Sequence, residues 1–506
     1  MSADSDSHSP APGTVRSLIP ARIDRLPWSP FHTRLVLALG VAWILDGLEI
    51  TVASTAADFL SKPETLNLSV QEVGLFAAIY LLGEVAGALY FGRQSDRLGR
   101  RRLFVLTLAV YLFGSFMTAL TLGSGAGWLV FLYVTRFIAG AGIGGEYAAI
   151  NSAIDELIPS RYRGRVDIAV NGTYWAGALV GTLGNLLFFH QLDANWAWRA
   201  GFLLGPVLGL VIIYVRRNLP ESPRWQVMNG QAEEAEHTTA FIEREVRNSG
   251  RELPDVDPSK EMQLTPEDKI GYAALLVVLF KEYPARAIYG ATLMITQSFL
   301  YNSIFFTYAT VLGLFYHVPK ENGPLYAIAF CVGNFLGPLL LGPLFDTIGR
   351  KRMIAGTYIL SGVLLTISAL LFRAGALTAL TQTLVWCVIF FIASAGASAA
   401  YLTVSEIFPL EVRAKAIAVF FAIAQCFGAL GPVIFTALIG SKEHPSVPGL
   451  FTGYVIGAVM MILGGLVTLR LGVAAEGKSL EDIATPLSAQ NRPGTARAEG
   501  SARPSG

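Results

Sequence analysis

Apolar segments of about 20 residues recur along the whole chain and limit its possible folds more than any other feature. A helix of this length rises about 1.5 Å per residue and crosses a hydrocarbon core of about 30 Å. Because 53% of the 506 residues are hydrophobic and only 15% are charged, a membrane is the natural surrounding. The sequence predicts an all-α membrane protein with twelve transmembrane helices, numbered 1 to 12, at residues 35–56, 71–91, 103–122, 128–147, 166–189, 200–215, 287–314, 325–344, 353–372, 380–402, 416–439 and 450–469.

Basic residues predict the orientation in the membrane, since cytoplasmic loops retain Lys and Arg and translocated loops carry few. The loops after helices 2, 4, 8 and 10 carry two to five basic residues each, and the opposite loops carry at most one. Both termini are therefore predicted to be cytoplasmic, in a protein of the plasma or inner cell membrane. The predicted units are an N-terminal tail (1–33), a six-helix bundle (34–217), a linker with short helices (218–284), a second bundle (285–470) and a largely disordered tail (471–506).

Charge and cysteine content argue against several other classes of protein. A formal net charge of +1 provides no basic face for nucleic acid. The three cysteines lie in separate apolar segments, so neither a metal site nor a cofactor is predicted. No nucleophile–base pair or metal-ligand cluster indicates an enzyme. The first thirty residues lack the features of a signal peptide, so insertion is expected to begin with helix 1.

Two motifs recur with the same displacement of 250 residues. Gly92-Arg-Gln-Ser-Asp96-Arg-Leu-Gly99-Arg100 returns as Gly342-Pro-Leu-Phe-Asp346-Thr-Ile-Gly349-Arg350. Glu156-Leu-Ile-Pro-Ser-Arg-Tyr-Arg163 returns as Glu406-Ile-Phe-Pro-Leu-Glu-Val-Arg413. Two motifs that share one offset across unequal loops indicate an internal duplication, which is typical of secondary transporters. The repeating unit is six helices.

These motifs resemble those of the major facilitator superfamily, whose loop after helix 2 has the pattern G-x-x-x-D-R-x-G-R-R. Within it the chain is similar to sugar porters and related metabolite:proton symporters. The similarity lies in Arg136-x-x-x-Gly140-x-Gly142-x-Gly144, Pro220-Glu-Ser-Pro-Arg224-Trp225 and Ser405-Glu-Ile-Phe-Pro409. The terminal motif is retained only in part, because Val473-Ala-Ala-Glu476 stands where P-E-T-K is expected. The resemblance implies two pseudo-symmetric six-helix bundles that work by alternating access, as a monomer in membrane lipid.

Charged residues within the predicted spans are candidates for proton coupling, because a charge at helix centre costs about 2.5–3.5 kcal/mol on insertion scales. Asp46 and Glu49 share one face of helix 1. Arg136 of helix 4 lies at a matching depth, where movement of the arginine would let a carboxyl bind a proton. The resemblance supports this prediction, since proton-linked sugar porters place an acid of helix 1 opposite this arginine. A static buried ion pair is the alternative. The roles of Glu84 and Glu146 stay open.

Polar positions midway along helices 5, 7 and 10 are the predicted substrate contacts, because transporters bind substrate where the repeats meet. They are Asn171, Gln297, Tyr301, Asn302 and Tyr401. The resemblance implies a glutamine at 171 and a tryptophan at 401, so the departures weaken a hexose assignment. Tyr174 and Trp175 are interpreted as lipid-facing or packing residues.

The repeated cytoplasmic motifs predict a gate, since arginines can pair with carboxylates and an anion is stabilised at a helix N-terminus. In sugar porters such a network holds the outward-facing state. The predicted gate residues are Asp96, Arg100, Glu156, Arg163, Glu221, Arg224, Asp346, Arg350, Glu406 and Arg413.

The sequence thus favours a secondary transporter that couples protons to a small polar metabolite, either a sugar-like compound or an organic or aromatic acid. One alternative is a proton-driven efflux antiporter, although Gly177-Ala-Leu-Val-Gly181-Thr-Leu-Gly184 lacks the proline of the antiporter signature. Another is a transporter-like nutrient receptor, which would need a long ordered cytoplasmic extension.

Overall fold

The computed structural model describes residues 15–60, 62–68, 70–216, 220–264, 271–319, 323–409, 412–440 and 444–484. Within these ranges, long helices occupy all twelve predicted spans, with helix 5 in two parts. Helices 1 to 6 are Pro30–Leu60, Val70–Leu98, Arg100–Ala119, Ala126–Leu157, Ser160–Gly172 with Tyr174–Gln191, and Ala194–Arg216. Helices 7 to 12 are Pro284–Tyr316, Gly323–Thr347, Arg350–Arg373, Ala379–Glu406, Arg413–Ile439 and Val447–Leu471.

Length and composition alone qualify eight of the described helices to cross a membrane. Helix 7 raises the number to nine, although it bends by 51° between Pro284–Phe305 and Thr310–Tyr316. Most observed helices extend beyond the predicted apolar runs, because polar residues at the ends continue the same backbone hydrogen bonding.

Packing within each half repeats the order of the other half. Helix 1 packs against helices 5 and 6, helix 2 against helix 4, and helix 3 against helices 4 and 6. The corresponding pairs, 7 with 11 and 12, 8 with 10, and 9 with 10 and 12, pack in the second half. The two bundles meet chiefly where helix 2 contacts helix 11 and helix 5 contacts helix 8. The sequence duplication is therefore a structural duplication.

Glycines allow the helices of a bundle to approach closely. A Cβ atom added to Gly87 of helix 2 would lie 2.6 Å from the Cα atom of Ala141 in helix 4. At the positions 250 residues later, a Cβ atom on Gly337 would lie 2.9 Å from the carbonyl carbon of Phe391. Both distances are too short for a side chain, so these glycines fix the spacing of the 2–4 and 8–10 helix pairs.

The motif glycines have a different role, at the start of helices 3 and 9. Gly99 has φ of 81° and Gly349 has φ of 107°. An L side chain rarely adopts these backbone angles, whereas glycine does so without steric cost. Both residues turn the chain sharply between consecutive membrane helices, and this explains why the motif needs glycine there.

The segments outside the bundles form short elements. The linker contains helices Pro223–Met228 and Ala232–Asn248, a 3-10 turn at Pro258–Lys260, and helix Tyr272–Val277, which continues as the π-helix Val278–Glu282. Strand Met262–Leu264 pairs antiparallel with Val15–Ser17. The predicted N-terminal tail contains helix Ile19–Asp24, and the predicted C-terminal tail contains helix Leu480–Ile483. Residues 485–506 of that tail lie outside the described residues.

Candidate functional site

A cavity lies between the two bundles and holds about 740 Å³ of empty space, including the part that opens to solvent. Helices 1, 4 and 5 form one wall, and helices 7, 10 and 11 form the other. A volume of this size suits a small molecule. Its described lining residues include one carboxylic acid, four amides, three serines and seven aromatic side chains, with no Lys, Arg or His.

All five predicted substrate residues lie together in the wall of this cavity: Asn171, Gln297, Tyr301, Asn302 and Tyr401. Tyr301 donates a hydrogen bond to Oδ1 of Asn334 at 3.1 Å, which orients its phenol. The Nδ2 group of Asn171 donates to the carbonyl of Asp167 at 2.7 Å. Its Oδ1 atom has no hydrogen-bond partner in the described part of the chain, so it can accept a further hydrogen bond. Contact of these residues with substrate stays a prediction.

Aromatic residues complete the cavity, and sequence reasoning missed most of them. Trp175, interpreted above as a lipid-facing or packing residue, lines the wall together with Tyr174. The ring of Trp175 lies 5.6 Å from that of Tyr301 in the opposite bundle. Trp43 of helix 1 lies 5.1 Å from Tyr401, also across the interface. Helical spacing was an available signal, because Trp43 and Ile50 share the face of Asp46.

Asp46 is the one carboxylic acid among the described lining residues. Only 2% of its surface is exposed. Tyr80 of helix 2 donates to its Oδ1 atom at 3.3 Å, and Tyr147 of helix 4 donates to its Oδ2 atom. No salt bridge to Asp46 occurs among the described residues. A buried acid held by phenols rather than by a cation can exchange a proton without breaking an ion pair.

Glu49 lies one turn further along helix 1 in a different environment. It forms a buried salt bridge with Arg136. Tyr111 and Ser115 of helix 3 donate to its Oε2 atom at 3.1 and 3.0 Å. The guanidinium of Arg136 is enclosed by the rings of Tyr80, Phe76 and Phe202, at 4.3, 4.7 and 5.1 Å from their centroids. The predicted trio therefore divides into an acid in the cavity wall, Asp46, and a buried ion pair outside the cavity, Glu49 with Arg136.

Glu84 and Glu146, whose roles the sequence left open, are both buried, at 0% and 2% exposure. Glu84 of helix 2 accepts a hydrogen bond from Nε2 of Gln425 in helix 11, across the interface between the bundles. Gln425, which the sequence analysis missed, also lines the cavity. The repeat offered a signal, because Gln425 stands 250 residues after Trp175.

The cytoplasmic motifs form matching ion pairs in the two halves. Arg100 pairs with Glu156 at 2.7 Å, and Arg350 pairs with Glu406 at the positions 250 residues later. All four side chains are buried. The repeated arginines and glutamates thus connect helices 3 and 4 in one bundle, and helices 9 and 10 in the other, as the motif spacing predicted.

Other contacts of the network cross between the bundles. Arg163 lies 3.6 Å from Glu406, which therefore meets arginines of both halves. Asp346 of helix 8 accepts from the backbone N–H of Arg165 at 2.8 Å. Arg413 donates to the carbonyl of Phe408 within its own half at 3.2 Å. The side chain of Asp96 lies outside the described residues.

Glutamates from the loops cover the N-termini of helices 3 and 9. Glu221 accepts from the backbone N–H groups of Arg100 and Arg101 at 2.8 and 3.2 Å. Burial raises the pKa of Glu221 above its ordinary value, although these N–H groups oppose the shift. Glu476 accepts from the backbone N–H of Arg350 at 3.3 Å. Glu476 thus occupies the matching place in the second half, although its motif is only partly retained.

The N-terminal helix Ile19–Asp24 joins this network, which the sequence did not indicate. Oδ2 of Asp24 lies 3.3 Å from the guanidinium of Arg224, and Oδ1 accepts from the backbone N–H of Ser160 at 3.2 Å. Oδ1 of Asp24 also lies 3.7 Å from Arg163. The predicted gate residues Arg163 and Arg224 therefore share an acid from the N-terminal segment.

The architecture and motifs agree with comparisons to known proteins. The sequence profile of the family described as "Sugar (and other) transporter" matches residues 38–487. The chain belongs to this family. Its members are membrane transporters and not enzymes, and the predicted fold class, with two six-helix bundles, is confirmed.

Individual relatives match along nearly the whole transporter. A niacin transporter of Acinetobacter baylyi is 24% identical, covering 92% of this chain and 99% of the relative. A metabolite transport protein of Escherichia coli is 28% identical, covering 92% and 96%. The structure of the E. coli proton:xylose symporter XylE bound to 6-bromo-6-deoxy-D-glucose superposes with a TM-score of 0.74 at 20% identity, covering 90% of this transporter and 98% of that chain. This last likeness shows the fold.

Proposed function

We propose that this transporter takes up a small polar metabolite together with a proton, and that Asp46 carries the proton. The observation behind the proposal is the position of Asp46 in the cavity wall, buried and held by two phenols instead of a cation. Proton and substrate therefore meet in one compartment, where each can influence the binding of the other.

The free energy of a buried charge provides the coupling. An ionised Asp46 in a closed cavity bears a desolvation cost of about 2.5–3.5 kcal/mol, by analogy with insertion scales. A proton on Asp46 removes this cost, so the protonated carrier closes around its substrate more readily than the ionised carrier. Because both states must be occupied in a transport cycle, substrate accumulates when protons flow inward.

In this proposal Glu49 and Arg136 support the site and do not exchange protons. Their buried pair holds helix 1 against helices 3 and 4 and keeps Asp46 facing the cavity. Glu49 and Arg136 thus form the static buried ion pair that was the alternative to coupling, and Asp46 alone has the coupling role.

The bonds between the bundles on the cytoplasmic side act as the inner gate. Arg163–Glu406 and the Asp346 contact join the two halves, so both must break when the cavity opens inward. The basic residues of the loops support a cytoplasmic position for this face and both termini, in a protein of the plasma or inner membrane. We expect a monomer, since one chain supplies both cavity walls.

The substrate is a small ring-bearing compound with several hydrogen-bonding groups. Amides and serines in the wall can bind hydroxyl, carbonyl or ring nitrogen atoms, and the aromatic side chains can stack on a ring. Relatives are named for niacin, glucose and myo-inositol, which are all small rings with polar groups. An organic acid would meet no lining cation, so it would enter with Asp46 protonated.

Uptake into proteoliposomes tests this proposal, with a panel of radiolabelled sugars, polyols, niacin and nicotinamide. We expect one compound class to accumulate when the outside is acidic, and Asp46→Asn to abolish accumulation while exchange of labelled for unlabelled substrate continues. Asp193→Asn is the matched control, because Asp193 is exposed in the loop after helix 5. Accumulation that persists in Asp46→Asn would refute the role of Asp46.

A further inference from the structure

Three cavity side chains form a hydrogen-bond chain that ends on Glu84. The Nδ2 group of Asn302 donates to Oγ of Ser298 at 3.2 Å. The hydroxyl of Ser298 donates to Oε1 of Gln425 at 3.3 Å, and Nε2 of Gln425 donates to Glu84. Asn302, Ser298 and Gln425 line the cavity, whereas Glu84 belongs to the opposite bundle and is fully buried. We call these four residues the Glu84 chain.

The direction of every hydrogen bond in the Glu84 chain is set by the charge at its end. An ionised carboxylate only accepts hydrogen bonds, so the amide nitrogen of Gln425 must face it. The amide oxygen of Gln425 then faces Ser298 and accepts a hydrogen bond from its hydroxyl group. With that hydrogen engaged, Ser298 has only lone pairs left for Asn302. All donors of the chain therefore point toward Glu84.

We propose that a proton on Glu84 reverses the two hydrogen bonds of Gln425 in the Glu84 chain and changes what the cavity wall offers to the substrate. The neutral carboxyl donates its O–H to Oε1 of Gln425 after the amide rotates by half a turn. Nε2 of Gln425 then donates to Ser298, whose own hydroxyl hydrogen is released toward the cavity. The protonated wall gains a donor for an acceptor atom of the substrate. Glu84 is a positioning residue, since it acts through Gln425.

The surroundings of Glu84 confine the change to its side chain. Helix 4 holds the backbone of Glu84, because Cβ atoms added to Gly140 and Gly144 would lie 3.1 Å from its nitrogen and 2.6 Å from its Cα atom. The bond to Gln425 spans helices 2 and 11, one of the two main contacts between the bundles. The same bond therefore senses both the proton and the relative position of the bundles.

Other titratable and charged groups act on Glu84 from each element around it. Tyr80, one turn earlier on helix 2, donates to Asp46 and interacts with Glu84. The remaining groups are Asp46 of helix 1, Arg136 and Tyr147 of helix 4, Tyr174 of helix 5 and Tyr401 of helix 10. Glu146 of helix 4 acts on Asp46. A pH dependence must therefore be assigned to Glu84 by substitution.

Infrared difference spectroscopy between alkaline and acidic pH tests the inference on the full-length purified protein without any substrate. A protonated carboxyl gives a C=O stretching band whose frequency depends on its hydrogen bonds. We expect one such band to vanish in Glu84→Gln and to shift in Gln425→Met. Ser298→Ala breaks the chain one step further away and should shift the band less. Because Ser298→Ala leaves Glu84 itself in place, the shift of the band can still be measured if the Glu84→Gln variant does not fold.

The inference rests on the proposed symport, and separate bands distinguish the two failures. Asp46→Asn should remove a second band and leave the Glu84 band in place. If the wild-type spectrum shows the Glu84 band but no band that Asp46→Asn removes, the proposed function is overturned and the Glu84 chain is not. A Glu84 band that is absent, or that is unmoved by both Gln425→Met and Ser298→Ala, would overturn the chain.

Discussion

Disruption of the Glu49–Arg136 pair should destabilise the transporter strongly. The exposed fractions of these side chains are 0% and 1%, so neither can turn to water when its partner is removed. Breaking one partner of a buried ion pair costs about 3–5 kcal/mol, because the other charge stays buried and uncompensated. Glu49→Gln and Arg136→Gln should each lower the free energy of unfolding by about this amount.

The double variant should be more stable than the sum of the two single effects predicts, because it leaves no uncompensated charge. Tyr111 and Ser115 can still donate to the amide that replaces Glu49. We therefore expect a coupling free energy of about 2 kcal/mol or more in the double-mutant cycle, near the upper part of the range for contacting residues.

Unfolding of the purified protein in mixed micelles of increasing denaturing detergent measures these free energies. The matched control is the cycle for Arg34 and Glu245, an ion pair at 2.7 Å whose side chains are 68% and 28% exposed. Such a pair contributes about 0–1 kcal/mol. If the Glu49–Arg136 coupling is no larger than this control, the pair does not hold helix 1 as we propose.

Three further predictions concern the gate, the salt bridges of Glu243 with Arg22 and Arg25 near the N-terminus, and the helix spacing. Glu406→Gln should increase labelling, from the cytoplasmic side, of a cysteine placed at Ser398, because Glu406 lies 3.6 Å from Arg163 of the other bundle. Glu156→Gln should increase it less, because the salt bridge described for Glu156 is to Arg100 of its own bundle. Equal labelling in the two variants would argue against the gate. Burial raises the pKa of Glu243, but hydrogen bonds from Arg22 and Arg25 outweigh this effect and lower the pKa below its ordinary 4.5, so these salt bridges should weaken as the pH falls below that value. Glu243→Gln should speed hydrogen exchange in Ile19–Asp24 at neutral pH. Unchanged exchange would contradict this prediction. Gly144→Val should abolish recovery of monodisperse protein, because a Cβ atom at Gly144 would lie 2.6 Å from the Cα atom of Glu84 in helix 2. Gly127→Val should not, because no atom lies within 4 Å of a Cβ atom there. Normal recovery of both variants would show that helices 2 and 4 can separate.

Charged residues within the spans and residues of the repeated motifs were predictable from the sequence. A charge in the membrane costs free energy and is therefore rare, and the repeated motifs share one offset of 250 residues. The repeat singled out Arg100, Glu156, Arg350 and Glu406 as candidate gate residues, although it did not assign which arginine pairs with which glutamate. The rarity of charge within a membrane span singled out Asp46, Glu49 and Arg136. The apolar runs located all twelve long helices, because the bilayer thickness fixes the length of a span, although length and composition qualify only eight or nine of the described helices to cross a membrane.

The partners of those residues were not predictable, because they come from other helices. Tyr80 and Tyr147 are ordinary membrane-helix residues until the fold brings them to Asp46. The difference between Asp46 and Glu49, which lie one helical turn apart, depends on which of the two side chains meets helix 3. Asp24 lies outside any motif, so its contacts with Arg163 and Arg224 required the structure.

Proton movement that accompanies substrate is the most direct test of the account. Proteoliposomes that contain a pH-sensitive dye, with no imposed gradient, should acidify inside when the transported metabolite is added outside. Addition of a compound that is not transported should give no signal, and Asp46→Asn should transport without acidification while Asp193→Asn behaves as wild type. Substrate entry without acidification in the wild type, or acidification that survives in Asp46→Asn, would contradict symport through Asp46.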